Sequence, residues 1–393
     1  MSKAQQGTVR YWRIQWGIIL TGLSVFAQLY FFQPLLPALG RVFSISPAMS
    51  SLAISGGTAG MATGLFVFAF WADRWPRKQL MTACMFGTAL LTMISAGAPN
   101  FAVLVVLNFV KGMVISGISA VALAYLAEEI DGNVLGFIIS IYMSGNILGG
   151  MSGRVSAGFL NGWLGWRYAT LVIGIIGAVF AVVFLWVLPK SQYFQSQKIQ
   201  MGYKFRQMAL FLRQPMLLAM FVVAALLMGV FVSTYNYLNF RLEAPPFSLP
   251  HYLIALVYVM YTVGIWGSIA AGRWSDLYES TTVLKTLILA ISAGLLMLLS
   301  THLWIFVVGL GVVTFGFFGA HTIASRIVSE LVDSGKSTAT SLYWLFYYVG
   351  SSIIGTGSGI FLSAWGWAGF IIGLLLLGLI GLLILVIVSR RHP

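Results

Sequence analysis

The chain has 393 residues, 59% hydrophobic and 8% charged, with 22 Lys and Arg against 9 Asp and Glu. A soluble domain carries about 25% charged residues, so the composition excludes a soluble enzyme and points to buried spans joined by thin polar loops. A single cysteine, Cys84, excludes an internal disulfide and a cysteine-based metal site, and the net charge of +13 is scattered over short loops rather than gathered into a nucleic-acid patch.

A helix needs roughly 20 apolar residues to cross the hydrocarbon. Twelve stretches qualify, near 14–36, 48–71, 79–97, 101–127, 134–160, 168–188, 215–240, 252–272, 282–300, 303–326, 338–362 and 367–389. Arg10 and Arg13 lead straight into the first, which is too long for a cleavable signal peptide. The loops between spans are short and rich in Gly, Pro, Ser or Asn, as at Ser46-Pro47 and Ala98-Pro-Asn100. With both termini placed in the cytoplasm, 17 of the 22 basic residues fall on the cytoplasmic side. Arg41, Arg167 and Arg241 fall outside, and Lys111 and Arg154 fall within spans. That bias fixes the expected orientation in a bacterial inner membrane. The longest polar stretch, Pro189 to Arg213, has five basic and no acidic residues and reads as a cytoplasmic linker near anionic headgroups. The expected architecture is an all-α membrane protein. A six-helix bundle over 1–188 and a basic linker over 189–213 precede a second six-helix bundle over 214–393.

The two halves repeat. Ala69-Phe-Trp-Ala-Asp73-Arg74-Trp-Pro-Arg77-Lys78 follows the second span, and Gly272-Arg-Trp-Ser-Asp276 follows the eighth, with the aspartates 203 positions apart (276 − 73). The small-residue run from Ser140 to Gly153 in the fifth span matches Ser341 to Gly355 in the eleventh. Each leads to a Gly-Trp pair, Gly165-Trp166 and Gly366-Trp367. Parallel repeats related by an axis along the membrane normal are a known transporter plan.

These features resemble the major facilitator superfamily. Its loop between spans two and three reads roughly Gly-x-x-x-Asp-Arg-x-Gly-Arg-Arg/Lys. Asp73, Arg74, Arg77 and Lys78 fit it, while Ala69 and Pro76 replace the two glycines. The fifth span is similar to the family's antiporter motif Gly-Pro-x-x-Gly-Gly, with Asn146 where proline is usual. The resemblance extends to the YnfM-type bacterial inner-membrane transporters through Tyr125-Leu-Ala-Glu-Glu-Ile130, Ser144-Gly-Asn-Ile-Leu-Gly-Gly-Met-Ser-Gly-Arg154, Phe317-Phe-Gly-Ala-His321 and the Ser341–Gly355 run. It implies two bundles that rock about a central site, with Asp73 gating against a helix of the opposite bundle.

Several residues are candidates for the mechanism. Asp73, Arg74, Arg77 and Lys78 form the expected gate. Glu128 or Glu129, at the end of span four, completes a charge network with Arg77, and Asp276 is the repeat's counterpart, with no basic cluster after it. The plainer alternative is a basic loop that only sets topology. Charged and polar groups inside spans carry weight because hydrocarbon makes them costly. Arg154 is placed to bind an anionic group, or else it snorkels to the outer surface. Asn108 and Lys111 share a helix face. The family often has arginine where Asn108 stands, and Lys111 supplies a charge one turn later. His321 is the one histidine clearly within a span, and an imidazole titrates at about 6.5, so it is a proton-coupling candidate or a neutral interhelical hydrogen-bonder. Ser325, one turn away, raises a serine–histidine dyad that would leave the repeat and hinge unexplained. Gln33, Tyr235, Asn236, Tyr343 and Tyr347 are placed to line a cavity, or simply pack.

The expected function is secondary active transport by alternating access, as proton-coupled efflux of small amphipathic molecules. Proton-coupled uptake of a small polar or anionic metabolite is the alternative, and a channel or lipid scramblase the alternative of another class. The expected partners are a small-molecule substrate, protons and the lipid bilayer, with no nucleic acid. No cofactor, no metal and no catalytic residue are expected, and the chain is expected to work as a monomer.

Overall fold

The computed structural model describes residues 3–194 and 201–391, apart from the side chains of Asp73, Met201, Tyr203, Arg390 and Arg391. Every named element is helical. Hydrocarbon offers no hydrogen bonds, so each backbone N–H and C=O must be satisfied within its own segment.

The polar residues between apolar runs do the capping. α1 (Val9–Tyr30) starts five residues before the predicted span, at Thr8, whose hydroxyl accepts from the Tyr11 N–H. Pro34 and Pro37 lack backbone donors, and there the chain tightens into a 3-10 turn, Gln33–Leu35, before α2 (Leu36–Phe43). Ser46 caps α3 (Pro47–Ser50), which has Pro47 in its first turn. α4 (Leu52–Trp71) and α5 (Arg77–Ala96) follow. Asn100 caps α6 (Phe101–Glu129) by accepting from the Val103 N–H at 2.9 Å.

α7 (Gly132–Val187) has 56 residues. At 1.5 Å per residue it would run about 84 Å, far beyond the roughly 30 Å hydrocarbon core. It is two spans broken at Gly165, with φ 79° and ψ 166°. α8 (Met201–Arg213) forms the second part of the expected linker, which is helical there, and α9 (Pro215–Glu243) follows. The predicted eighth span is segmented into α10 (His251–Val257), a 3-10 turn Tyr258–Met260 and α11 (Tyr261–Leu277). α12 (Ser280–Met297) and α13 (Leu303–Glu330) precede α14 (Lys336–Arg391), which breaks at Gly366 with φ 63° and ψ −165°. Ten segments among the described residues are long and apolar enough to cross a membrane. Counting α7 and α14 twice makes twelve spans. The loops expected at 161–167 and 363–366 shrink to one glycine each.

The conformation at those breaks belongs almost wholly to glycine. A Cβ on Gly165 would meet nothing within 4 Å, so its penalty is conformational alone. Gly165→Ala is expected to lower the unfolding free energy by about 1–3 kcal/mol, read as a lower melting temperature in detergent. Gly136→Ala, equally open but in a regular helix, is the control and should not lower it.

The helices form two compact units, Met1–Leu35 with Gly56–Ile199, and Leu36–Ser55 with Gln200–Pro393. In the first, α1 packs along α7 and α5 packs on α6 and α7. In the second, α9 packs along α14, and α13 lies on α11 and α12. Leu36–Ser55 comes early in sequence, yet its polar groups are satisfied in the second unit. Arg41 pairs with Glu243 at 2.8 Å. The Tyr237 hydroxyl donates to Ser51 Oγ (3.2 Å), and Ser51 Oγ donates to Thr356 Oγ1 (3.2 Å). Thr356 Oγ1 in turn donates to Ser55 Oγ at 2.7 Å.

Candidate functional site

In the first unit two cations meet the exit of α1. Asn108 and Lys111, one turn apart on α6, are both buried. The Asn108 amide donates to the Leu104 carbonyl of its own helix at 3.0 Å. Lys111 is 0% exposed and its Nζ has no hydrogen-bond partner among the described residues. It lies 4.8 Å from the Phe31 ring centroid and 5.1 Å from that of Phe32. Arg154, on α7, is 2% exposed, so it does not snorkel. Its Nε donates to Gln33 Oε1 at 2.5 Å and its Nη1 to the Gly150 carbonyl at 2.7 Å, and its guanidinium carbon sits 4.4 Å from the Tyr30 centroid. Both cations therefore touch Tyr30–Gln33, and Gln33 serves as the partner of Arg154. All nine acidic residues lie at helix ends or between helices.

At the charged end of this unit, Arg77 is 5% exposed in the first turn of α5. Its Nη2 and Nε donate to Glu128 at 2.9 and 3.2 Å, and its Nη1 donates to the Ala72 carbonyl at 3.0 Å. Of the two candidates, Glu128 is the partner, and Glu129 pairs elsewhere. Successive helical residues point about 100° apart, so only one of the two glutamates faces α5. Glu129 is fully buried, pairs with Arg10, and accepts from the N–H groups of Gln192 (2.6 Å) and Tyr193 (3.1 Å). Arg10 was missed from sequence, where the only signal was a basic residue ahead of the first span. Lys78 Nζ donates to the Leu185 carbonyl at 2.7 Å, and Arg13 donates to those of Trp186 and Val187, so both cations cap the end of α7. Arg74 is exposed. Asp73 sits in the 3-10 turn Ala72–Arg74, and its side chain lies outside the described residues.

In the second unit Asp276 does have a cation, supplied from across the fold rather than from the following loop. Arg326 of α13 pairs with it at 2.8 Å, with Glu330 at 2.7 Å, and donates to Ser275 Oγ at 2.7 Å. The arrangement mirrors Arg77–Glu128 with the signs exchanged. Arg326 was also missed, because its partner is 50 residues away.

His321 is half-buried on α13, with Nδ1 2.7 Å from the Tyr343 hydroxyl of α14. The rings of Tyr347 (4.9 Å), Trp344 (5.1 Å) and Phe317 (6.2 Å) surround it. Residues singled out separately thus form one cluster, and the imidazole's hydrogen bond goes to Tyr343 rather than to Ser325. Tyr235 belongs to a neighbouring stack with Phe231, Tyr258 and Tyr261, and its hydroxyl meets Thr314 Oγ1 at 2.8 Å. The Asn236 amide donates to the Gly355 carbonyl at 3.3 Å.

The glycines of the fifth span serve close packing. A Cβ on Gly149 would fall 2.5 Å from the Gly22 carbonyl oxygen, and one on Gly153 2.5 Å from Ala27 Cα, so α1 and α7 touch backbone to backbone. Asn146, on the same stretch, has its amide nitrogen 3.9 Å from Met143 Sδ.

The sequence profile of the Major Facilitator Superfamily matches residues 18–265. The chain is 34% identical over 371 residues to the uncharacterized MFS-type transporter YybF of Bacillus subtilis, covering 94% of this chain and 92% of YybF. It is 33% identical over 387 residues to the inner membrane transport protein YnfM of Escherichia coli, covering 98% of this chain and 93% of YnfM. A solved structure of a bacterial homologue of the human lysosomal transporter Spinster shares the fold, with a TM-score of 0.80 at 16% identity over 98% of this chain and 96% of that one. Twelve spans, a repeated packing plan and these matches agree: the chain belongs to the major facilitator superfamily and is a multi-pass inner-membrane secondary transporter with the alternating-access fold, not an enzyme.

Proposed function

We propose that the chain couples proton movement to export of a small amphipathic solute. It does so as a monomer of two six-helix bundles, 1–188 and 214–393, joined by the linker 189–213, with both termini in the cytoplasm. The observation that carries this reading is His321. An ionisable group inside a span is functional by default, and an imidazole nitrogen can either accept a hydrogen bond or, once protonated, donate one. The acidic residues lie at helix ends or between helices, whereas His321 is nine residues (330 − 321) inside the end of α13. While neutral at Nδ1, the ring accepts from the Tyr343 hydroxyl. Protonated there, it must donate instead, and the hydroxyl hydrogen turns to another acceptor, for which the His321 carbonyl lies 3.3 Å from the Tyr343 oxygen. Protonation on α13 thereby changes a contact with α14.

Arg77–Glu128 and Asp276–Arg326, each within its own unit, hold the charged ends in place, and Asp73 with Arg74, Lys78 and Glu129 would make the contacts that rocking breaks and remakes. Arg154, Asn108, Lys111, Gln33 and Asn146 are the solute-facing candidates of the first unit, and Tyr235, Asn236, Tyr343 and Tyr347 those of the second. Export follows from the antiporter-like fifth span. Uptake of a small anionic metabolite is the second reading, favoured by the burial of Lys111 and Arg154.

The test is proton movement in proteoliposomes holding an internal pH dye, challenged with cationic dyes and then with organic anions. A saturable, solute-triggered pH change is expected in the wild type and is lost in His321→Ala. Solute flux without proton movement would remove the coupling, and flux that never saturates would indicate a channel or scramblase.

A further inference from the structure

We infer that Lys111 is the anchor for a carboxylate on the transported solute, and that Phe31 and Phe32 select a flat, apolar body attached to it. The inference rests on reading the chain as a solute transporter, but not on proton coupling or direction.

An ammonium carries three N–H donors and no acceptor. Lys111 is fully buried, and none of its donors meets an acceptor among the described residues. The faces of Phe31 and Phe32 return part of the lost hydration through cation–π attraction. That attraction is smaller than the penalty for a buried, uncompensated charge. Arg154 deepens the imbalance, because it brings a second positive charge to Tyr30–Gln33 while its Nε and Nη1 are committed to Gln33 and Gly150. The chain's own carboxylates lie at helix ends, two of them engaged by Arg77 and Arg10. The missing partner is therefore an anion from outside the chain. A single ammonium is a compact charge of one, which the single negative charge of a carboxylate balances. The two rings lie against each other, centroids 4.1 Å apart and planes tilted by 35°, so they make one continuous aromatic surface beside the ammonium, against which a planar hydrocarbon portion packs.

Benzoate is the probe, titrated into purified protein in lipid nanodiscs by calorimetry. Benzamide has the same shape without the charge, and acetate has the charge without the ring. Benzoate is expected to bind at least about 30-fold more tightly than either. Lys111→Gln should bring benzoate down to the level of benzamide, and Lys111→Arg should keep most of the preference. Lys111→Met should lose the preference while melting above the wild type, since an apolar side chain replaces a buried charge. That separates lost binding from lost fold. Failure of benzoate to bind the wild type, equal binding of benzoate and benzamide, or wild-type benzoate binding by Lys111→Gln each overturns the inference. A proton signal lost in Lys111→Gln with benzoate binding intact overturns it too, by making Lys111 a proton carrier. Solute flux without proton movement in the wild type, with benzoate selectivity intact, defeats only the proton-coupled reading.

Discussion

Glu128→Gln is expected to destabilise the protein by about 2 kcal/mol, whereas Asp276→Asn should change its stability by no more than about 0.5 kcal/mol. The two pairs occupy matching places, and exposure makes the difference. The Arg77 and Glu128 side chains are 6% and 23% exposed. Removing the carboxylate leaves a guanidinium with little water to replace it. Neither the Ala72 carbonyl, which takes one donor, nor the Phe194 ring, 4.8 Å from the guanidinium carbon, carries a negative charge. Arg326 and Asp276 are 40% and 67% exposed, so water screens the pair and also solvates either partner alone. Glu330 keeps Arg326 occupied in any case. Thermal melts of the two variants in one detergent would check this. A double-mutant cycle over Arg77→Ala and Glu128→Ala should return a coupling energy of about 2 kcal/mol. Independent effects at the two positions would show that the pair contributes nothing, and would leave Arg77 with a topological role only.

The largest effect is expected at Gly153. Gly153→Ala should cost about 3 kcal/mol, at the upper end of what overpacking usually does, and Gly153→Val should leave little folded protein. A normal carbon–carbon contact is roughly 3.5–4.0 Å, and the new Cβ would start 2.5 Å from Ala27 Cα and 2.6 Å from the Ala27 carbonyl oxygen. Those are backbone atoms of α1, so no side chain can swing aside. The whole helix must retreat by about 1 Å and give up its dispersion contacts. Gly145→Ala, two turns away on the same face, is the matched comparison, since its Cβ would lie 3.4 Å from the Ile19 carbonyl oxygen. It should shift stability by less than about 0.5 kcal/mol. The monodisperse fraction after extraction and the melting temperature report both variants. Equal behaviour of the two would show that the seam yields, contrary to its geometry.

Span positions were legible because hydrocarbon sets one length and one composition for every crossing. The Gly-Trp pairs marked both helix breaks, though a single glycine did the work expected of a short loop. Ser46 and Asn100 were read as loop residues, and the structure adds that each caps the helix that follows. Pairings across the fold were not legible. Neighbours such as Glu128 and Glu129 differ only in which way they point, and that depends on helix rotation, which the pattern of a nearly all-apolar helix leaves undefined. Arg326 closed the predicted span 303–326 on its cytoplasmic side and gave no sign that it would serve Asp276. The association of Leu36–Ser55 with the C-terminal part of the chain was equally invisible. It depends on hydroxyls that satisfy one another only once the helices are packed. His321 and Tyr343 were found separately, and only the packing of α13 on α14 made them a pair.

The placement of Leu36–Ser55 has a consequence for biosynthesis. Arg41 is made 202 residues before Glu243, and Ser51 305 residues before Thr356. At about 5–20 residues per second, Arg41 waits roughly 10–40 seconds for its carboxylate, and Ser51 longer. The rest of the first unit ends at residue 199, so all of it has been synthesised before Glu243 is. The early segment is thus held by its flanking spans alone while the ribosome works, and it reaches its final partners as one of the last events of assembly.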